Sequence, residues 1–451
     1  MSGIALVYGM ALAGNALATQ LDRRGWTLVI ADDVPTDAKH QMAAAFGTEL
    51  IESPTAEEIA DLVGAADIVC PAPGVPETHA VVSAALAAGK PVRTEIDLAY
   101  EWEQQRPGGP RPMLAVTGTD GKTTTTLLTA HILEAAGHRV AAVGNTEVPL
   151  VAALDDDVDV FVVECSSFRL NWLQSFRAEA SVWLNLAPDH QNWHTSMASY
   201  ESAKAQMWAH RRQGDVAIGW ADDSTVMANL SAVGGVTRTF AASNADYRIE
   251  GGNLVGPGGV IAAVAGMTRA LPHDLTNALA AAALVLESGM AAPSHVQRAL
   301  ATFRHPPHRI EPLGTIDGVQ WFNDSKATSP HAALTAIRSF DHIVLLAGGL
   351  NKGLDLASLA SEHARVKAVV GLGTAAAEVT APFAPYCPTR IATSMAQAVE
   401  FADEFAENGD VVLLSPACAS FDWYPGGGYP ARGDDFKKLV RALDGVRSTQ
   451  A

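Results

Sequence analysis

The chain has 451 residues, of which 48% are apolar and 18% charged. At roughly 150 residues per domain this suggests about three domains, and so low a charged fraction excludes long disorder. Acidic residues outnumber basic ones by 49 to 31, a net charge of −18, which repels a polyphosphate backbone and argues against a nucleic-acid partner. There is no apolar run of about 18 residues, so no membrane insertion is expected. The apolar stretch Ile4 to Leu17 is broken by glycines and has no basic leader, unlike a signal peptide. Cys70, Cys165, Cys387 and Cys418 lie far apart, which argues against a zinc cluster or a disulfide framework. A cytoplasmic protein with reduced thiols is expected.

Short apolar runs alternate with helical patterns along the chain, the signature of parallel sheets. Ile4–Tyr8, Thr27–Ala31 and Asp67–Pro71 read as buried strands, with Ala13–Arg24 and His79–Ala88 as helices. The Pro- and Gly-rich segment Gln104–Pro112 is a candidate domain boundary. Met113–Thr117, Phe161–Glu164 and Ser181–Leu186 follow as strands, Tyr200–Trp208 as an amphipathic helix, Val236–Val264 as short β pieces and Leu275–Leu286 as a strong helix. A second boundary falls at His305–Pro307, and Val319–Asn323, His342–Ala347, Ala368–Leu372 and Val411–Leu414 read as another set of parallel strands. The expectation is three α/β domains in series, at 1–110, 111–306 and 307–451.

The sharpest motif is Leu114–Thr126, LAVTGTDGKTTTT. A strand runs into Gly118-Thr119-Asp120-Gly121-Lys122-Thr123, and a helix begins there. The glycines let the backbone curl around an anion, and the helix N-terminus adds positive potential. Lys122 is placed to reach β- and γ-phosphates, and the Thr123 hydroxyl to sit on Mg²⁺. Val116 stands where a general Walker A motif has Gly. Glu164 ends a buried strand, where carboxylates that hold Mg²⁺ in nucleotide sites are found. At the N-terminus Tyr8–Gly14 (YGMALAG) is a GxGxxG-like turn with Ala11 in the middle glycine's place, which hinders close approach of a pyrophosphate.

Several of these strings together resemble the Mur ligases and their folylpolyglutamate synthetase relatives. Gly-Thr-Asp-Gly-Lys-Thr is similar to their nucleotide loop, with Asp120 in place of Asn. VVECSSFRL (162–170) resembles the ESSSFQL-type segment of the glutamate-adding Mur ligases. WLNLAPDHQNW (183–193) resembles LNxxxDHxD, with Asn192 for the last Asp, and PHDLTNALAA (272–281) resembles HNxxNxxAA, with Asp274 for the first Asn. NDSKAT (323–328), AGGLNKGLD (347–355) and LSPACASF (414–421) match NDSKATN, GGxxKGxD and LSPACASxD in order.

The resemblance implies an α/β protein of three domains: a Rossmann-like N-terminal domain for a UDP-linked substrate, a central P-loop-type ATPase domain, and a Rossmann-like C-terminal domain for glutamate. It implies that Gly118, Thr119, Asp120, Gly121, Lys122, Thr123, Thr124, Asn277, Arg309 and Asp324 bind ATP. Thr123, Glu164, His190 and a carbamylated Lys204 would hold Mg²⁺. Leu12, Ala13, Asp32, Gly74, Asn145, Ser166, Lys326, Thr328, Lys352, Ser420 and Phe421 would contact substrates. Lys122, His190, Lys204, Arg309, Asp324 and Lys326 would carry the chemistry. The implied reaction phosphorylates the carboxylate of UDP-N-acetylmuramoyl-L-alanine and lets the amine of glutamate attack, with the last domain closing on the middle one. A monomer is expected. The residues leave open a different ligase of the same superfamily, an L-glutamate-adding variant, and a non-catalytic nucleotide-binding regulator, to which Asp120, Asn192 and Asp274 lend weight.

Overall fold

The computed structural model describes residues 3–448, with side chains described up to residue 445. The described residues form two compact units. One runs to Leu186 and continues through His190–Ala270 and Asp274–Phe303; the other comprises Ala187–Asp189, Leu271–His273 and the chain from Arg304 on.

The first unit opens with four parallel strands, β1 (Ile4–Tyr8), β2 (Thr27–Asp32), β3 (Leu50–Glu52) and β4 (Ile68–Pro71), in the order β3-β2-β1-β4. Burial on both faces explains why β1 and β4 are near-continuous apolar runs rather than alternating ones. The β1 turn leads into the helix Leu12–Arg23. Its Gly14 has a steric cause, since a Cβ there would lie 1.9 Å from the Gly9 carbonyl oxygen.

A second sheet holds six parallel strands: β5 (Met113–Thr117), β6 (Val140–Gly144), β7 (Val160–Glu164), β8 (Ala180–Trp183), β9 (Val216–Trp220) and β10 (Val236–Phe240). Their order is β10-β9-β8-β5-β7-β6. The chain leaves β5 to one side for β6 and β7 and returns to its other side for β8. This reversal opens a crevice at the C-terminal ends of the central strands, where ligands bind in open α/β sheets. Expected strand Ser181–Leu186 ends earlier: regular pairing stops at Trp183, and Leu184 and Asn185 bond to Thr117 and Thr119 at and just beyond the end of β5. The expected β pieces beyond β10 form a small antiparallel sheet, β11 (Arg248–Glu250), β12 (Asn253–Gly256) and β13 (Gly259–Ala263).

Gln105 to Pro112 is irregular, as its prolines and glycines suggest, yet it is pinned. Arg111 is buried and makes a two-pronged ion pair with Glu103, with Nη2 at 2.7 Å from Oε2. Its remaining N–H groups donate to the carbonyls of Leu154 and Asp156.

The first two sheets of this unit are joined by acids. Asp97, fully buried, accepts the backbone N–H groups of Gln174, Ser175 and Phe176 at 2.9–3.2 Å and the Ser175 hydroxyl at 3.0 Å. Glu95 accepts from Arg169 Nε at 2.8 Å and from the N–H of Val151 at 3.2 Å.

In the second unit, β14 (Glu311–Ile316), β15 (Val319–Asn323), β16 (Ile343–Gly348), β17 (Val366–Leu372), β18 (Thr389–Ile391) and β19 (Val411–Leu414) form one sheet. The order is β14-β15-β19-β16-β17-β18, parallel except for β14. Separate apolar clusters cover its two faces, one around Leu345, Val369 and Leu413, the other around Val344, Val370 and Val412.

Replacing Asp97 by Ala removes the acceptor of three consecutive N–H groups, that of Phe176 buried and the others partly buried. We expect it to lower the unfolding free energy by about 3 kcal/mol, read in urea titrations of the full chain. A loss below about 1 kcal/mol would contradict this account of the seam.

Candidate active site

Strand β5 ends at Thr117, and the next four residues wrap back on themselves before the helix Lys122–Ala135 starts. Gly121 sits at φ +83° as the residue before that helix, and a Cβ there would lie 2.7 Å from Asn277 Oδ1. It offers no side-chain cap, so the first-turn N–H groups of the helix are left for an anion. Within the loop itself, the N–H groups of Thr119 and Asp120 both donate to Asn185 Oδ1 at 2.9 Å, and Asn185 Nδ2 donates back to the Asp120 carbonyl at 3.2 Å. Anion-facing donors are therefore those of the helix start at Lys122, Thr123 and Thr124, not those of Thr119 and Asp120. Asn185 holds the loop closed from behind, a role the residue types alone did not reveal.

Lys122 folds over this loop, its Nζ donating to the carbonyls of Gly118 at 2.9 Å and Thr119 at 2.7 Å. Lys204 comes from the helix Met197–Ala205 and is 1% exposed. Its Nζ donates to the same Gly118 carbonyl at 2.7 Å and lies 4.5 Å from the Tyr200 ring centroid. The Tyr200 hydroxyl shares a hydrogen bond with Thr119 Oγ1 at 3.1 Å. The structure thus brings Lys122, Lys204 and the loop together. Asn277 joins them, accepting from Thr125 Oγ1 at 3.2 Å. Asp274 is instead engaged by Arg269 in a two-pronged ion pair, 2.7 and 2.8 Å.

Glu164 ends β7 in register with Val116 on one side and Gly144 on the other. It is 1% exposed; Oε1 accepts from Asn145 Nδ2 at 2.9 Å, while Oε2 is buried with no hydrogen-bond partner. An orphaned buried carboxylate oxygen at a phosphate-loop crevice fits a cation that completes its shell. Asn145 is itself aimed by Arg169, whose Nη1 donates to Asn145 Oδ1 at 2.7 Å and to Ser166 Oγ at 3.4 Å. His190 adopts φ +56° and sets its ring edge-on against Phe168, with centroids 4.7 Å apart. Among the described residues no three His, Cys, Asp or Glu side chains gather as a metal cage.

On the first sheet, Leu12 is 60% exposed at the start of its helix, with Ala13 buried beside it and Gly74 in the turn after β4. Asp32 has its oxygens occupied by this chain's own donors: Oδ2 by the N–H of Met10 at 2.7 Å, Oδ1 by Val34 N–H at 2.9 Å and Lys39 Nζ at 2.7 Å. It therefore shapes the β1 turn. Burial alone would raise its carboxyl pKa, but the Lys39 ammonium and the two N–H groups outweigh burial and hold it below the usual range.

The second unit gathers the remaining residues at the ends of β15 and β19. Asp324 accepts from Ser415 Oγ at 2.8 Å and from the N–H of Ile310 at 3.1 Å. Ile310 and His308 both have positive φ, +47° and +62°, so the backbone on either side of Arg309 is held in an uncommon conformation. Lys326 stacks its ammonium 3.9 Å from the Tyr429 ring centroid, and Thr328 follows, half-buried. Lys352 is exposed on the glycine-rich turn after β16, which pairs through Leu350 with Ala419 (2.8 and 3.1 Å) and so lies beside Ser420. Ser420 Oγ is buried without a partner, whereas Phe421 is 54% exposed. Arg432, 2% exposed, ties these turns together through Ser325 Oγ, Ser325 O and Cys418 O at 2.8–3.1 Å.

Residues 116–285 match the Mur ligase middle domain and residues 308–418 the Mur ligase glutamate ligase domain. The UDP-N-acetylmuramoylalanine–D-glutamate ligase of Frankia casuarinae is 40% identical over 98% of this chain and 94% of its own length. The chain belongs to the Mur ligase family. Enzymes of the same name from Pelotomaculum thermopropionicum and Myxococcus xanthus are 36% and 35% identical, each over 97% of this chain and 97% and 98% of their own. Among solved structures, UDP-N-acetylmuramate-alanine ligase MurC from Thermotoga maritima is similar at TM-score 0.59 and 18% identity, covering 98% of this chain and 99% of its own. MurF from Acinetobacter baumannii is similar at TM-score 0.60 and 15% identity, covering 96% and 90%. These likenesses agree with the expected multidomain α/β Mur ligase fold. No described helix is long and apolar enough to cross a membrane.

Two predictions follow from this geometry. Gly121→Ala forces a methyl into Asn277 at a strained φ; nucleotide affinity by calorimetry should fall at least tenfold while the circular dichroism spectrum is kept. Asp32, whose folded pKa is depressed, stabilises above the unfolded carboxyl value near pH 4 and loses that contribution as pH falls through the folded value. The difference in unfolding free energy between wild type and Asp32→Asn should therefore shrink between pH 6 and pH 3, and a constant difference would contradict it.

Proposed function

We propose that this chain is an ATP-dependent ligase that joins D-glutamate to UDP-N-acetylmuramoyl-L-alanine in peptidoglycan precursor synthesis. The observation that carries the reading is the end-to-end likeness to ligases of that name. The gathering of a phosphate loop, an orphaned carboxylate and a buried lysine at one sheet edge supports it. In this reading residues 1–110 hold the UDP-linked acceptor, 111–306 hold ATP and 307–451 hold glutamate, in a cytoplasmic monomer.

An amide does not form from a carboxylate and an amine in water without activation. The acceptor carboxylate attacks the γ-phosphorus of ATP, the bond to the β,γ-bridging oxygen breaks, and ADP leaves. The glutamate amine then attacks the acyl carbon and loses a proton, and phosphate departs with the former carboxylate oxygen. The protein's part is positioning and charge neutralisation. The helix start at Thr123 and Thr124 and the Lys122 ammonium take the phosphates, with Asn277 beside the nucleotide; the family resemblance assigns Arg309 and Asp324 to ATP as well. Leu12, Ala13, Asp32, Gly74, Asn145 and Ser166 orient the acceptor. Lys326, Thr328, Lys352, Ser420 and Phe421 hold glutamate, and the unpartnered Ser420 hydroxyl suits its carboxylate.

Thr123, Glu164, His190 and Lys204 would hold Mg²⁺, which when bound neutralises phosphate charge. Two ammonium groups on one carbonyl oxygen, from Lys122 and Lys204, repel each other and any cation. Lys204 as a carbamate removes that conflict: its deprotonated Nζ adds to CO₂, a proton is released, and the cation becomes an anion able to ligate.

The test is ADP release by the full chain with UDP-N-acetylmuramoyl-L-alanine and each glutamate enantiomer. D-Glutamate should support turnover at least a hundredfold above L-glutamate, and Lys122→Ala should reduce kcat at least a thousandfold. Turnover only with L-glutamate, or a fully active Lys122→Ala, would overturn the reading. Depleting bicarbonate should lower activity reversibly if Lys204 works as a carbamate.

A further inference from the structure

Three residues after Gly74, Glu77 leaves the first sheet's region and enters a hydrogen-bond hub in the same unit. Its side chain is 11% exposed. Oε1 accepts the N–H of Thr195 at 2.6 Å and the hydroxyls of Thr195 and Ser199 at 2.8 and 2.7 Å. Oε2 accepts from Ser199 Oγ at 2.7 Å, Asn171 Nδ2 at 3.2 Å and His194 Nδ1 at 3.2 Å. The far nitrogen of His194, Nε2, is 2.9 Å from Ser167 Oγ. With Nδ1–H donating to a carboxylate, Nε2 accepts from the serine hydroxyl.

Acid, imidazole and serine are thus in the order of a nucleophilic triad. Ser167 and His194 are only 2% and 3% exposed, so no acyl substrate reaches the hydroxyl. The relay must act on its neighbours. Ser167 begins the turn that follows Glu164, and the ring of the next residue, Phe168, packs 4.7 Å from His190. The His194 N–H donates to the His190 carbonyl at 2.9 Å. Ser199 lies in the first turn of the helix Met197–Ala205 that carries Lys204. The seam is closed by Trp193, whose indole N–H donates to the Pro73 carbonyl at 2.9 Å and whose carbonyl accepts the Glu77 N–H at 3.4 Å.

We propose that Glu77 is a positioning residue. Through His194 and Ser199 it fixes the His190 turn and the Lys204 helix relative to the Pro73-Gly74 turn, so that the site on the second sheet is aligned with whatever the first sheet binds. This rests on the function proposed above. Gln at this position keeps the size but replaces one acceptor oxygen with an N–H₂, which faces either the donors of Thr195 and Ser199 or those of Asn171, Ser199 and His194. Asp keeps the acceptors and shortens the reach.

The experiment compares full-length wild type, Glu77→Gln and Glu77→Asp. Three readouts are taken: steady-state kinetics, ATP binding by calorimetry, and amide hydrogen exchange over residues 191–199. Glu77→Gln should lower kcat about ten- to hundredfold, as loss of an outer-shell partner does, and raise the acceptor KM. ATP affinity should stay within twofold. Exchange over 191–199 should accelerate at least tenfold, and Glu77→Asp should recover part of each effect. Unchanged kinetics and exchange in Glu77→Gln would overturn the proposal. So would a loss of ATP affinity matching the loss of turnover, since that reports general unfolding. If wild type makes no product with D-glutamate, the functional reading fails, while the exchange arm still decides whether Glu77 holds the segment.

Discussion

The Gly118 carbonyl oxygen receives two lysine nitrogens, and much of the centre is organised around that fact. Two ammonium groups that share one acceptor oxygen repel each other. Burial makes matters worse for Lys204, which cannot turn to water. The loop tolerates the arrangement because Asn185 fixes it from the opposite side and the helix start adds donors without adding a full charge. On the neighbouring strand, Glu164 keeps one buried carboxylate oxygen without a hydrogen-bond partner.

The net charge of −18 has a counterpart inside the molecule. Asp32, Glu95, Asp97, Glu103, Glu164, Asp274 and Asp324 are all buried. Most serve as acceptors for segments distant in sequence rather than as surface charges. Asp97 caps three consecutive N–H groups, Glu103 holds Arg111, and Glu77 gathers donors from a loop more than a hundred residues later. A carboxylate suits this use because each oxygen accepts more than one hydrogen bond. Within the first unit, therefore, the first and second sheets meet along a polar seam. Such a seam fixes orientation more sharply than apolar contact, since misalignment leaves buried donors unsatisfied.

This is also where sequence reading reached its limit. β1, β5 and β19 are legible to the residue because buried parallel strands are short apolar runs bounded by turn residues, and β15 because its residues alternate between buried and more exposed positions. The phosphate loop was legible because glycine, lysine and threonine are dictated locally by the backbone and the anion. β14 escaped notice: Pro312 and Gly314 interrupt its pattern, and as an antiparallel edge strand with a bulge it tolerates both. The helix of Lys204 starts three residues earlier than its apolar spacing suggests, because Ser196 caps it by accepting from the Ser199 N–H. Asn185, Arg169 and Glu77 carry no local signature. Their partners lie 65, 24 and 118 residues away, and no window along the chain contains both ends.

Arg432 illustrates how such long-range polar contacts can be decisive in the second unit. Its guanidinium is buried without a carboxylate partner in hydrogen-bond contact, and burial brings its pKa down to about 10. What keeps it there is geometry: one planar fork meets Ser325 on the turn after β15 and the carbonyls of Cys418 and Ala419 on the turn after β19. Two segments recognised separately in sequence, 323–328 and 414–421, are thereby fastened at one point. Lysine has the charge but not the fork, so it would satisfy one segment and release the other. The Ser420 hydroxyl and the Lys326 ammonium both depend on these turns for their aim. Arg432 therefore sets the geometry of the turns that carry Ser325, Cys418 and Ala419.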